Sequence, residues 1–257
     1  MTHPDLSFEA QGDIAIVRLT RAAKRNALND GLILALRDTF QNLDASVRAV
    51  VIDGKGPHFC AGLDLSELKE RDAAAGVLHS RSWHQALDCV QHGPVPVIAA
   101  LHGAVVGGGL ELASAAHIRV ADSTTFYALP EGTRGIFVGG GGSVRIPKLI
   151  GVARMTDMMM TGRVYNADEG ERAGFAQYLV PEGTALDKAI ELAKRIATNA
   201  PLTNYALMHA LPRIAEQTAD HGFFTEALMS GIVQDAPEAK ARVRAFLEGK
   251  APKVAKN

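Results

Sequence analysis

Hydrophobic positions along the chain fall into two textures. In the first, Asp13–Thr20 (DIAIVRLT) follows a Gly12 turn and is rich in β-branched residues, which predicts a strand. Ala49–Asp53 (AVVID) is an unbroken apolar run stopped by Gly54, the pattern of a strand buried on both faces. Between them, LILALRDTFQNL carries apolar residues at helical spacing, with Asp30 as its expected N-cap. Val95–Leu101 (VPVIAAL), a helix starting near Gly108, and His117–Ala121 (HIRVA) repeat that order, so the body is expected to be α/β.

The second texture begins after Pro181. ALDKAIELAKRIATNA, TNYALMHALPRIAEQ, GFFTEALMSGIV and PEAKARVRAFLEGK all read as helices, with Pro212 expected to kink or shorten its own. The expected division is a core over 1–200 and a helical domain over 201–257. No low-complexity segment or solenoid repeat interrupts either part.

Composition narrows the function classes. The chain has 257 residues, 47% hydrophobic and 21% charged, with a formal net charge of -1. That balance supplies no basic field for nucleic acid or an anionic membrane, and no apolar run has the length of a membrane span. Two cysteines, Cys60 and Cys89, form no disulfide framework, and the first residues lack an apolar signal core. A cytoplasmic protein is expected, with any anionic ligand held locally.

The candidate chemistry begins at LHGAVVGGGLELA, Leu101–Ala113. Gly107–Gly109 would weaken a strand or helix interior, yet they stand between the two, where free amides and the helix dipole favour negative charge. A bare backbone lets a ligand oxygen reach the main chain, as in an oxyanion hole. Such a hole takes a second donor, and PHFCAGLDLSEL (Pro57–Leu68) offers one where Ala61 and Gly62 precede Leu63. Glu111 follows the glycines, and Glu131 follows Pro130 in an apolar setting, so both are candidate acids or bases. The two face one cleft only if HIRVA returns the chain between them.

Taken in order, AAKRNALN, HFCAGLDLSEL, PVIAALHGAVVGGGLELASAAHIRVA and FYALPEGTRG resemble the crotonase superfamily, the enoyl-CoA hydratase/isomerase family, and GVARMTDMMMTGRVYNADEGERAGFAQYLV extends the likeness. The resemblance implies an α/β crotonase-like spiral of ββα units with a C-terminal helical trimerisation domain, assembled as a homotrimer or dimer of trimers. It implies acyl-CoA substrates, with coenzyme A belonging to the substrate and no separate cofactor. Leu63 and Gly108 fall on the oxyanion-hole positions, and Glu111 and Glu131 on the acid–base pair. Lys24 and Arg25 fall on a segment that approaches the CoA phosphates, and Ala61 and Leu63 on its pantetheine path; Lys250 and Lys253 read as tail residues. Both glutamates together imply hydration of a 2-enoyl-CoA; an enoyl-CoA isomerase and a silent acyl-CoA-binding subunit are the alternatives.

The chain departs from the family pattern after Glu131. RGIFVGGGGSVRI stands where LGTIPGAGGTQRL-like text is usual, with Val138 in place of proline, a larger Phe137, and Tyr127 for a small residue. These changes are expected to reshape the acyl pocket. Gly139–Gly142 lacks the context of a dinucleotide fingerprint, and a phosphate-loop lysine is missing. No histidine spacing makes a metal site, His102 and Cys60 read as structural, and Ser114 sits in no nucleophile elbow.

Overall fold

In the computed structural model, residues 3–67 and 70–250 are described. The chain divides into two compact units, Met1–Ala197 and Thr198–Asn257.

The first unit is built on a six-stranded sheet. Its strands are β1 (Leu6–Gln11), β2 (Ile14–Leu19), β3 (Ala49–Gly54), β4 (Val97–Leu101), β6 (Ile118–Asp122) and β9 (Tyr178–Val180), in that spatial order. β1 pairs antiparallel with β2 and every other pair is parallel. β5 (Ala104–Val106), β7 (Phe126–Ala128) and β8 (Tyr165–Asn166) form a second sheet, and a bridge from Cys60 to Val105 extends it. Each β4–β5 and β6–β7 step therefore visits the first sheet and then the second. The ββα spiral arises from that repeat.

Helices close the layers: α1 (Asp30–Gln41), α2 (Ala73–Gln91), α3 (Gly108–Ala115), α4 (Gly142–Ile150), α5 (Val152–Thr161), α6 (Ala167–Ala173) and α7 (Ala185–Ala197). The apolar runs are continuous because the sheet is covered on both sides. Ile14, Ile16, Ala49, Val51, Ile98 and Ala100 meet Ala189, Leu192 and Ala193 of α7. Their strand neighbours Ala15, Val17, Val50 and Ile52 enter the larger core with Leu32, Leu36, Phe40, Leu87 and Val90 of α1 and α2. Two sequence expectations change here. Asn29, not Asp30, caps α1, its Oδ1 accepting the Leu32 N–H at 2.9 Å. Tyr127 stays out of any acyl pocket: it is fully buried and stacks on Phe175 with ring centroids 4.6 Å apart.

The Tyr127 hydroxyl is buried without a hydrogen-bond partner among the described residues. Burying a hydroxyl unpaired costs about 1–3 kcal/mol. Tyr127→Phe is therefore expected to raise the urea midpoint without changing catalysis; an unchanged or lowered midpoint would show that the hydroxyl is satisfied in solution.

The second unit contains α8 (Pro201–Tyr205), α9 (Leu211–Ile214), α10 (Ala219–Asp235) and α11 (Pro237–Leu247). Pro212 does not end the helical run. A wide π-helical turn, Ala206–Ala210, comes first, and the Leu211 N–H reaches back five residues to the Ala206 carbonyl. The turn changes the bonding pattern just where proline brings no N–H.

Candidate active site

Three segments of the first unit converge around one cavity. The first is the crossing after β3. Asn26 holds a left-handed backbone (φ 56°), and its Nδ2 donates to the carbonyls of Lys55 and His58 at 2.9 and 2.7 Å. The Ala61 N–H donates to Arg25 O at 3.0 Å. Leu28 then brackets Leu63: its N–H donates to Gly62 O at 2.7 Å, and its carbonyl accepts from Asp64 N–H at 2.8 Å. In such a parallel bridge the flanking residues carry the bonds, which leaves the Leu63 amide unused. Gly62 has φ 92°, and a β carbon there would lie 2.6 Å from Val106 O, so no other residue fits.

The second segment is the glycine run. Gly107 adopts φ 53°, ψ -121°, and a β carbon on it would meet Glu131 Oε1 at 2.5 Å. Gly109 packs on Cys60, leaving no room for a side chain. Gly108 differs, because a β carbon there would make ordinary contacts with Trp83 Cζ3, Leu63 N and Leu28 Cδ1 at 3.4–3.6 Å. Space at Gly108 thus adjoins the Leu63 amide. As the first residue of α3, Gly108 has an N–H with no helical acceptor. Among the described residues neither the Leu63 nor the Gly108 amide has a protein acceptor.

The third segment is the loop from β7 to α4. Leu63, Gly108, Glu111 and Glu131 line one cavity of about 130 Å³, together with His79, Trp83, Ile136, Phe137 and Val138. Both carboxylates are buried, and their surroundings differ. Glu111 Oε1 accepts the N–H groups of Gly140 and Gly142, each at 2.8 Å. Burial pushes its pKa up, while those amides and Arg145 pull it back. Glu131 Oε2 has no partner among the described residues. Burial, reinforced by the charge of Glu111, pushes Glu131 up to about 7. β6 does return the chain between the two acids.

Lys24 and Arg25 lie beside this crossing but do not line the cavity. Lys24 Nζ donates to Ser66 Oγ at 2.9 Å and to Asp64 Oδ2 at 3.3 Å. Ser66, Lys24 and Arg21 hold Asp64 well below the usual carboxylate range. Lys250 is exposed and pairs with Glu248 at 2.7 Å; Lys253 lies outside the described residues. Cys60 is buried, its Sγ donating to Asn26 O at 3.0 Å, and burial pushes the thiol up to about 12. Ser114 donates to the Glu111 carbonyl at 2.7 Å, His102 contacts Gly56 O at 3.0 Å, and no metal-binding cluster occurs among the described residues.

Sequence reasoning missed the α2 wall. Trp83, Ala86, Leu87 and Val90 recur at helical spacing and are buried, a signal available in SRSWHQALDCVQ. Asp30, released from capping, accepts from Trp83 Nε1 at 3.0 Å and contacts His79 Nε2 at 2.6 Å, fixing two side chains of the wall.

Two backbone amides without a protein acceptor among the described residues and two buried carboxylates thus share one largely apolar cavity. Residues 9–257 match the enoyl-CoA hydratase/isomerase family, and the chain belongs to it. It is similar to the 2,3-dehydroadipyl-CoA hydratase of Escherichia coli (strain K12), 30% identical and covering 96% of this chain and 97% of the relative. Its fold is that of a crystal structure from Rhodopseudomonas palustris CGA009 described as a candidate enoyl-CoA hydratase, at TM-score 0.94 and 59% identity, covering 96% of this chain and 95% of the other. An enoyl-CoA hydratase from Bacillus anthracis superposes at TM-score 0.89 with 30% identity over 97% and 98% of the two chains.

Proposed function

We propose that this protein hydrates a 2-enoyl-CoA to the 3-hydroxyacyl-CoA. The observation that carries this reading is two buried acids on one cavity with the Leu63 and Gly108 amides, Glu111 Oε1 accepting two backbone N–H groups and Glu131 Oε2 without a partner among the described residues. Amide donors favour the ionised form of Glu111, and like charges lining one cavity favour a proton on one of the two acids. Glu111 is thus the base and Glu131 the acid.

In this mechanism the thioester carbonyl accepts hydrogen bonds from the Leu63 and Gly108 amides. Glu111 takes a proton from water as the water oxygen bonds to the β carbon, and the double-bond electrons move onto the carbonyl as an enolate. The enolate then takes the Glu131 proton at the α carbon. Proton return from Glu111 to Glu131 resets the pair. The reaction calls for no metal or cofactor beyond the CoA of the substrate, and a cytoplasmic setting suits the two free thiols. Lys24, Arg25 and Ala61 are assigned to CoA by their place beside Leu63.

Hydration is tested with a panel of 2-enoyl-CoA thioesters by following the conjugated thioester absorbance. Its loss is the expected result. Absorbance gained from a 3-enoyl-CoA, with none lost from the 2-enoyl panel, would move the assignment to the isomerase.

The helical unit is assigned to self-association as a homotrimer or a dimer of trimers. On α10 the side chains of Phe223, Phe224, Leu228 and Ile232 are all exposed, an apolar face unusual for a lone chain. Light scattering is expected to give a mass of three or six chains, and a monomer at micromolar concentration would refute this.

A further inference from the structure

Four consecutive glycines, Gly139–Gly142, fit no nucleotide-binding pattern, and their surroundings explain them. A β carbon on Gly140 would stand 3.2 Å from Glu111 Oε2, and one on Gly142 would stand 2.9 Å from Glu111 Oε1. Gly141 has φ 97°, and a side chain there would strike the Arg145 guanidinium. The run therefore passes between a carboxylate and a guanidinium, with no space for either to be crowded. Its amides at 140 and 142 face Glu111, while its carbonyls are tied elsewhere. Ser80 Oγ donates to Gly139 O at 2.7 Å, and Arg145 Nη1 donates to Gly140 O at 2.9 Å. Arg145 Nε also donates to Gln91 Oε1 at 2.6 Å, so one planar fork joins α4, the loop and the end of α2.

We propose that Arg145 is a positioning residue for Glu111: by holding the Gly140 carbonyl and Gln91 together, it fixes the loop in the conformation that aims the Gly140 and Gly142 amides at Glu111 Oε1. This rests on Glu111 being the base of the proposed hydration. Arg145 acts through the peptide and touches no reacting atom. Its charge also favours the Glu111 anion. The other charged or titratable groups around this arrangement include Glu131 and His79 on the same cavity, His84 of α2 beside Gly139 with Arg81 near it, and Asp88 of α2 near Arg145.

The test compares wild type, Arg145→Gln and Arg145→Lys in the full-length protein. Carbon-13 NMR of labelled glutamate follows the Glu111 carboxyl, assigned by its loss in Glu111→Gln, and kcat and KM are measured across pH with a 2-enoyl-CoA that wild type hydrates. In Arg145→Gln the Glu111 titration and the rising limb of kcat are expected to move to higher pH. The kcat is expected to fall about a hundredfold, the scale of a catalytic group misplaced by about 1 Å, with KM little changed. Arg145→Lys keeps a charge without the planar fork, and is expected to lose most of the same kcat. If Arg145→Gln does not fold, Gln91→Leu removes one arm of the fork and is expected to give a smaller shift in the same direction. A folded variant with unchanged Glu111 titration and unchanged kcat overturns the inference. A wild type that hydrates no thioester, with the titration shift present, refutes the hydratase reading and leaves the positioning role standing.

Discussion

Replacing Gly108 with alanine is expected to leave the protein folded and to lower turnover of a 2-enoyl-CoA by about a hundredfold, because the methyl group keeps the substrate oxygen from the amides, an effect on the scale of one oxyanion donor lost. The fold tolerates the methyl group because its nearest neighbours lie at 3.4–3.6 Å and Gly108 lies within the ordinary helix α3. One of those neighbours is the Leu63 amide nitrogen at 3.5 Å. The methyl therefore enters the space where an oxygen must sit to accept from both amides. Alanine at Gly107 or Gly109 behaves differently. The first forces a side chain into a positive φ and against Glu131, and the second collides with Cys60, so both are expected to lower the melting temperature. Circular dichroism and steady-state kinetics on the three variants separate the functional glycine from its two structural neighbours. Full activity in Gly108→Ala would remove this amide from the mechanism.

Glu131→Gln is expected to lower kcat by a factor of about 100–10,000, the range for a positioned acid or base, and to stabilise the protein at alkaline pH. The sign follows from where the proton resides. Burial raises the folded-state pKa of Glu131 from 4.5 to about 7. Below 4.5 both folded and unfolded chains hold the proton and the group contributes nothing. Between 4.5 and 7 the folded chain binds more protons, so stability falls as pH rises, and above 7 the full cost is present. At about 1.4 kcal/mol per unit the cost approaches about 3 kcal/mol. Glutamine carries no charge, so urea midpoints should coincide near pH 4 and favour the variant at pH 8. Equal midpoints at pH 8 would mean that Glu131 ionises without strain.

Much of this arrangement was legible before the fold was known. The strands at β2, β3, β4 and β6 announced themselves because both faces of the sheet are covered, making each an apolar run. β1 was silent, since most of its side chains are exposed at the sheet edge, and β5 and β7 are too short to show a period. Gly108 and Glu111 were readable as a strand-to-helix junction with an acid in its first turn. Leu63 was readable only as a partner to that junction. Asp30 misled because acid and amide both cap helices, and only the structure shows Asn29 doing so while Asp30 reaches Trp83. The use of the Gly139–Gly142 loop as a cradle for Glu111 depends on contacts between residues about thirty positions apart, which no local pattern encodes.

Addition of water across the double bond is tested by oxygen labelling. The protein is incubated with 2-enoyl-CoA thioesters of several chain lengths in heavy-oxygen water, and the products are analysed by mass spectrometry. One labelled oxygen at the β carbon is the expected result, absent with Glu111→Gln and Glu131→Gln. Thioesters that bind and emerge unlabelled would contradict it.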